Sequence, residues 1–208
     1  MGIHRIFITN ITKILYTSGK HFDHIQQGGT NLTFTIREAT LEDVNEIAKV
    51  HVSSWQSTYT GMTDEQFSNI LTYESSRTRF IEKLGETDVF TYVAEHIEHG
   101  IIGFVTTGPQ RYEVEGYPGE VYAIYLLEEF QGSGVGKRLF IRAVQQLATL
   151  GFTSFSVLLM KENVPAQQFY DHLGGKKIKQ STFEINEVVY EDIFYGWENI
   201  QHFLETIK

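Results

Sequence analysis

The chain reads as an α+β protein, an α/β/α sandwich built on a central mixed, mostly antiparallel sheet. Three observations lead there. Strand-like runs come as hairpin pairs, at 89–95 with 101–107 and at 177–185 with 188–195, which implies antiparallel neighbours. Between the pairs, an apolar run at 121–127 is followed by a glycine-rich turn, a helical pattern and a second apolar run at 155–160. That is a strand–helix–strand crossover, which brings in parallel pairing. The 208 residues are 41% apolar, enough for one sizeable core.

The elements follow in order. Residues 1–31 form an N-terminal extension of unknown role, and 32–208 a single domain. The extension holds an apolar stretch at 6–16, interrupted by Asn10 and Lys13, with no small-residue cleavage site after it. Ile6 stands where a myristoylation signal needs Ser or Thr. Gly28, Gly29 and Thr30 read as a linker. The alternation at 34–38 predicts a strand. Thr40 with Asp43 has capping-box spacing, and Leu41, Val44, Ile47, Ala48, His51, Val52 and Trp55 then share a helical face. Residues 53–61 end that helix. Further helices are expected at 64–71 and 74–84. The first hairpin turns through 97–100. Leu139, Phe140, Ala143, Val144, Leu147 and Leu150 space as one helical face that Gly151 ends. Pro165 suits the first turn of the next helix and Gly174 stops it. Asn186 and Glu187 turn the closing hairpin, and 196–208 is expected as a terminal helix.

The stretch Gln131-Gly132-Ser133-Gly134-Val135-Gly136-Lys137 carries the most chemistry. The first amides of a helix lack partners inside it and carry the positive end of its dipole. Glycines let a phosphate approach without meeting a Cβ, so the loop reads as a pyrophosphate cradle. Two other phosphate loops fit badly. A Walker A loop would need Gly at 131 and Ser or Thr at 138, and the chain has Gln131 and Arg138. A dinucleotide fingerprint would need its third Gly at 137 or 139, which are Lys137 and Leu139.

What remains is Gln-x-x-Gly-x-Gly between a strand and a helix, which resembles the acetyl-CoA loop of the GNAT (GCN5-related) N-acetyltransferases. Asn163-Val164-Pro165-Ala166-Gln167-Gln168-Phe169-Tyr170, closing on Gly174, is similar to that family's Asn-x-x-Ala-x-x-Phe-Tyr segment. Ile36 to Thr40 with Asp43 looks like its opening strand and helix. The matches lie in family order over residues 34 to 197. Two positions depart from the pattern: Glu128 stands where Pro is frequent, and Gly175 where Phe is.

The resemblance implies a GNAT-like acyl-CoA N-acyltransferase fold and acetyl-CoA as cosubstrate. It puts the pyrophosphate on Gln131, Gly132, Ser133, Gly134, Val135, Gly136 and Lys137, and the pantetheine arm against Ile124 and Leu126 with Asn163 nearby. Asn163 also reads as a helix cap. The resemblance places the Tyr170 hydroxyl near the CoA sulfur as the acid; the alternative is a core aromatic beside Phe169. Glu120, at the start of the strand before the loop, is the candidate base; the alternative is a solvated strand-end acid. Direct attack of an amine on a thioester needs a neutral amine, an oxyanion donor and a proton for the thiolate, and no covalent enzyme intermediate. The oxyanion donor is most simply a backbone N–H near Leu126. His51, Trp55, Tyr59, Tyr73, Tyr112 and Tyr117 are candidates for an acceptor wall, each also explicable as packing or an exposed loop aromatic.

Composition bounds the partners. With 17 basic and 26 acidic residues the net charge is −9, which disfavours nucleic acid. With no Cys, disulfides, thiolate zinc sites and a cysteine nucleophile are excluded, which fits a cytoplasmic protein. No apolar run approaches the ~18 residues of a membrane span. The eight His residues form no His-Glu-x-x-His, and no metal site is expected. The reading is acetyl transfer to the primary amine of a small molecule. The rivals are a protein or peptide acceptor, or a CoA-binding sensor without turnover. Terminal strands or the extension are where a homodimer would form.

Overall fold

Thr40 and Asp43 open the first helix as their spacing predicts. The Thr40 N–H donates to Asp43 Oδ2 at 2.8 Å, and Arg37 grips the same carboxylate at 2.7 and 2.8 Å. Arg37 is the main reason that the Asp43 carboxyl titrates below its usual range. The computed structural model describes residues 23–27, 30–58, 71–185 and 187–207. In it β1 (Asp23–Gln27) and β2 (Thr30–Glu38) precede a single 3₁₀ turn at Leu41–Asp43, α1 (Val44–Thr58) and α2 (Tyr73–Leu84). The hairpin β3 (Phe90–His96) and β4 (Gly100–Pro109) leads to β5 (Gly119–Leu126). Then come α3 (Val135–Thr149), β6 (Phe155–Met160), α4 (Val164–His172), the hairpin β7 (Lys176–Ile185) and β8 (Val188–Trp197), and α5 (Ile200–Thr206).

These strands form one sheet in the order β1-β2-β3-β4-β5-β6-β8-β7. Every neighbouring pair is antiparallel except β5 and β6. α1 and α2 cover one face; α3 and α5 cover the other. The fold is the expected α/β/α sandwich with a mixed, mostly antiparallel sheet.

Three expectations change. Residues 23–27, read as part of an extension, form a strand that pairs with β2 from Asp23↔Phe34 to Gln27↔Thr30. Its sequence, Asp-His-Ile-Gln-Gln, lacks the apolar alternation that marks a half-buried strand, and an edge strand does not need it. α1 runs on to Thr58, past the break expected at Ser53, with Ser57 and Thr58 hydroxyls bonded back to Ser54 O at 3.1 and 2.6 Å. The terminal helix is shorter, because β8 continues to Trp197 and Asn199 caps α5 by accepting from the His202 N–H at 2.9 Å. The expected helix at 64–71 lies outside the described residues except for Leu71.

The β5–β6 pair positions the site. It is held over three register positions only, Gly119↔Phe155 to Val121↔Val157. Beyond Val121 the two strands part, and their C-terminal ends bound a wedge. A crevice at the carboxyl ends of parallel strands is where such sheets bind ligands.

Below the wedge, on the α3 side, an aromatic cluster joins four elements. The Trp197 and Phe155 rings stack at 4.7 Å and 1°, and Phe140 lies 5.3 Å from Trp197. Trp197 Nε1–H donates to Leu173 O at 2.9 Å. The indole explains the glycine at 175: a Cβ there would lie 2.6 Å from Trp197 Cζ2. Gly175→Ala is therefore expected to cost about 1–3 kcal/mol through overpacking, measurable as a lowered midpoint in urea with an unchanged slope.

Candidate active site

The loop after β5 begins with a 3₁₀ turn at Glu128–Phe130 and crosses Gln131 into two glycines of left-handed backbone, Gly132 at φ +70° and Gly134 at φ +106°. Gly134 is the N-cap of α3. Inside the loop the Ser133 hydroxyl donates to Phe130 O and is buried, so the side chain pins the loop and only the Ser133 amide is left to face a ligand. Val135 and Gly136 open the helix buried, and Lys137 is half-exposed. Glycine, left-handed backbone and the start of a fifteen-residue helix come together at this turn, a combination that suits an anion.

Next to it is a positive charge not picked out from sequence. Arg138 is buried, with its guanidinium 5.6 Å from the Phe34 ring centre, and burial pushes its pKa down to about 10. Its sequence signal was present, a basic residue one place after Lys137.

The wedge edge of β5 follows from hydrogen-bond parity. Leu127 donates its N–H to Ile102 O on β4 at 2.9 Å. In an antiparallel pair neighbouring residues alternate between the two edges of the strand. Leu126 and Ile124 therefore present their N–H and C=O groups away from β4, into the wedge. The Gln131 amide agrees, lying 3.4 Å from Leu126 O. The structure thus brings the Ile124 and Leu126 backbone and the glycine loop to one crevice.

Asn163 is buried and caps α4 by accepting from the Ala166 N–H at 3.1 Å. Tyr170 is fully buried in the aromatic cluster, 5.8 Å from Phe140 and from Trp197 and 5.5 Å from Tyr195.

Glu120 lies at the closed end of the wedge, opposite Ser156, and is 1% exposed. It is not a solvated acid. Arg111 grips it from the β4–β5 connection: backbone N–H to Oε2 at 2.9 Å, Nε–H to the same oxygen at 3.1 Å, and Nη2 to Oε1. The guanidinium lies 4.0 Å from the Tyr122 ring centre. Burial works against the charge on Arg111, but the Glu120 carboxylate outweighs it and holds the guanidinium above its ordinary range. Burial first, then the Glu120 charge, push the Tyr122 phenol up; its hydroxyl donates to Pro109 O at 2.7 Å. No sequence pattern marks Arg111, which meets Glu120 only because the connection doubles back.

The aromatic wall divides. His51 and Trp55 are core residues, 0% and 4% exposed. His51 Nδ1 pairs with Ser76 Oγ at 2.8 Å, and its ring packs on Tyr125 at 4.7 Å and Phe80 at 5.6 Å. Tyr73 sits at the start of α2 and bonds Asn45. Tyr59 lies outside the described residues. Tyr112 and Tyr117 line a cavity of about 590 Å³ with Gln110, Glu113 and Glu115. Among the described residues no three His, Asp or Glu side chains are grouped to hold a metal, and no helix is long and apolar enough to cross a membrane.

The acetyltransferase (GNAT) family model matches residues 52–174, more than half of the chain. The chain belongs to the GNAT family. It is 36% identical over 166 residues to a Bacillus subtilis protein named uncharacterized N-acetyltransferase YuaI, covering 80% of this chain and 94% of that one. Two solved structures share the fold. The PaiA N-acetyltransferase of Thermoplasma acidophilum, in complex with coenzyme A, has a TM-score of 0.58 at 20% identity, over 76% of this chain and 97% of that one. Mutant forms of the spermidine/spermine N-acetyltransferase SpeG of Vibrio cholerae have a TM-score of 0.60 at 16% identity, over 84% and 98%. The GNAT chain described here is an N-acetyltransferase by family, and its glycine loop and wedge both lie at or within the matched segment.

Proposed function

We propose that this GNAT enzyme transfers the acetyl group of acetyl-CoA to a primary amine of a small molecule by direct attack in a ternary complex. The observation that carries the reading is the wedge: an unpaired strand edge at Ile124 and Leu126 that ends on a glycine-rich helix N-terminus. The loop from Gln131 to Lys137 holds the pyrophosphate through those of its amides that the Gln131–Glu128 and Val135–Ser133 hydrogen bonds do not take, with the Lys137 ammonium toward the 3′-phosphate. The pantetheine amides pair with Ile124 and Leu126 as an added strand, and Asn163 closes the arm. The amine nitrogen attacks the thioester carbonyl carbon and the Leu126 N–H stabilises the oxyanion. The C–S bond then breaks and Tyr170 returns a proton to the thiolate. Glu120 takes the amine proton through water. An ionised carboxylate offers about four acceptor positions, and Arg111 takes three of them. The relay uses what remains.

A small acceptor is supported by SpeG, whose name gives spermidine and spermine. The Arg111 grip is the one observation that favours CoA binding without turnover.

The test is thiol release from acetyl-CoA against polyamines, amino acids, aminoglycosides and short peptides, with no thiol background from a chain that has no Cys. Release that depends on a small amine supports the reading. Release with peptides alone moves the acceptor to proteins, and a thermal shift by acetyl-CoA without release leaves a binding module. Tyr170→Phe is expected to lower kcat by about 10²-fold with acetyl-CoA affinity unchanged; equal kcat would return Tyr170 to a packing role.

A further inference from the structure

A buried base needs an orientation as well as an ion pair. Glu120 is 1% exposed, so it can take a proton only at an acceptor position that its neighbours leave open. Arg111 decides which position that is. Two of its donors, the backbone N–H and Nε–H, fall on Oε2 at 2.9 and 3.1 Å, and Nη2 falls on Oε1. Each carboxylate oxygen offers about two acceptor positions. Among the described residues Oε2 is therefore filled, and Oε1 keeps one position. Nε and Nη2 approach as a planar fork, which holds the carboxylate against rotation about its last torsion.

Arg111 is itself held in place. Its guanidinium lies on the Tyr122 ring, whose hydroxyl is tied to Pro109 O. Gln110 fixes the backbone on the other side. Its Oε1 accepts the Arg111 and Tyr112 N–H groups at 3.1 and 3.2 Å. Its Nε2–H groups donate to Ser156 Oγ at 2.6 Å and to Tyr117 O at 3.2 Å. Ser156 is the β6 residue level with Glu120. The connection thus spans the closed end of the wedge, anchored on β5 through Tyr122 and on β6 through Ser156. Neutralising Glu120 would need only a point charge such as a lysine ammonium; a fork on a ring platform adds direction.

We propose that Arg111 is a positioning residue of the transfer reaction, whose fork holds Glu120 so that Oε1, through its one open acceptor position, is the atom that takes the amine proton. The amine nitrogen loses its proton to the relay water, and that water passes one to Oε1. Glu120 becomes neutral and later returns the proton to solvent, while Arg111 keeps its own protons throughout. The proposal rests on the acetyl-transfer reading and adds which atom of the base works and what sets it. The same grip would suit a module that never turns over, and the experiment separates the two.

The experiment is a double-variant cycle on kcat, with an amine that the wild type acetylates, in Arg111→Lys, Glu120→Gln and the two combined. Urea midpoints and the acetyl-CoA Kd are measured alongside. Lysine keeps the charge and the backbone N–H of position 111 and loses the fork. Arg111→Lys is expected to lower kcat about tenfold or more through misplacement of the base, with the acetyl-CoA Kd and both KM values within about threefold. Glu120→Gln is expected to lower kcat about 10²-fold. In the Glu120→Gln background Arg111→Lys should change kcat less than about twofold, because no base is left to orient. Equal falls in both backgrounds would mean a merely structural Arg111 and overturn the proposal. An undiminished kcat in Arg111→Lys, or in Glu120→Gln, overturns it too while acetyl transfer stands. If Arg111→Lys does not fold, Tyr122→Leu decides, since it removes the platform and keeps both charges. Its kcat should fall at least about threefold beside Glu120 and not beside Gln, and equal falls overturn the proposal. If the wild type acetylates no amine, the acetyl-transfer reading fails and the proposal falls with it.

Discussion

Gly134→Val should weaken acetyl-CoA binding while leaving a folded protein. Gly134 holds φ +106° and ψ −15° as the N-cap of α3, a backbone region that β-branched residues adopt only under strain of roughly 1–3 kcal/mol. Relief by rotating the peptide would turn the first amides of α3 away from the phosphate, and a Val side chain would stand where the phosphate must approach. Strain and lost contacts add, so the acetyl-CoA Kd is expected to rise at least about tenfold, or 1.4 kcal/mol. Calorimetric titration and the thermal shift by acetyl-CoA measure it. Gly116→Ala is the control. It also has positive φ, +81°, and nothing lies within 4 Å of its added Cβ. Strain there should lower stability and leave the Kd alone. An unchanged Kd in Gly134→Val would take the pyrophosphate away from this loop.

Acid should weaken the fold through His51. Its imidazole is fully buried, and burial first, with the Arg79 charge second, pushes its pKa down to about 3 from 6.5. The folded state keeps the ring neutral while the unfolded chain takes up a proton. Between pH 6.5 and about 3 the unfolded state therefore binds more protons, and stability falls as pH falls. Each unit is worth about 1.4 kcal/mol, so His51 alone should cost about 2 kcal/mol near pH 5. Urea unfolding near pH 7 and pH 5 measures the loss. The His51→Leu/Ser76→Ala double variant, which removes the buried pair together, should show a smaller loss by about that amount. An equal loss would mean that His51 titrates alike folded and unfolded.

The legible part of this protein is the part written in short-range signals. A strand, a glycine run and a helix onset are neighbours in sequence, so the strand–loop–helix unit that we propose holds the phosphate could be read from Val121 to Leu139 directly. Helical spacing marked the core faces of α1 and α3, and Asn163 with Pro165 marked the start of α4. Those segments also carry the motifs that match the GNAT family. β1 escaped because a polar edge strand has no pattern of its own. The end of α1 escaped because Ser and Thr near it bond back into the helix instead of breaking it.

Contacts between distant segments were decided by tertiary structure. Glu120 reads as a plain strand-end acid until the β4–β5 connection lays Arg111 over it. Gly175 looks like a missing aromatic until Trp197, from another strand, fills the space above it. The wedge exists because β5 and β6 pair at three positions and then part, which neither strand's own sequence states. Local sequence sets backbone preferences within a few residues, whereas burial and ion pairing sum over atoms that folding alone brings together.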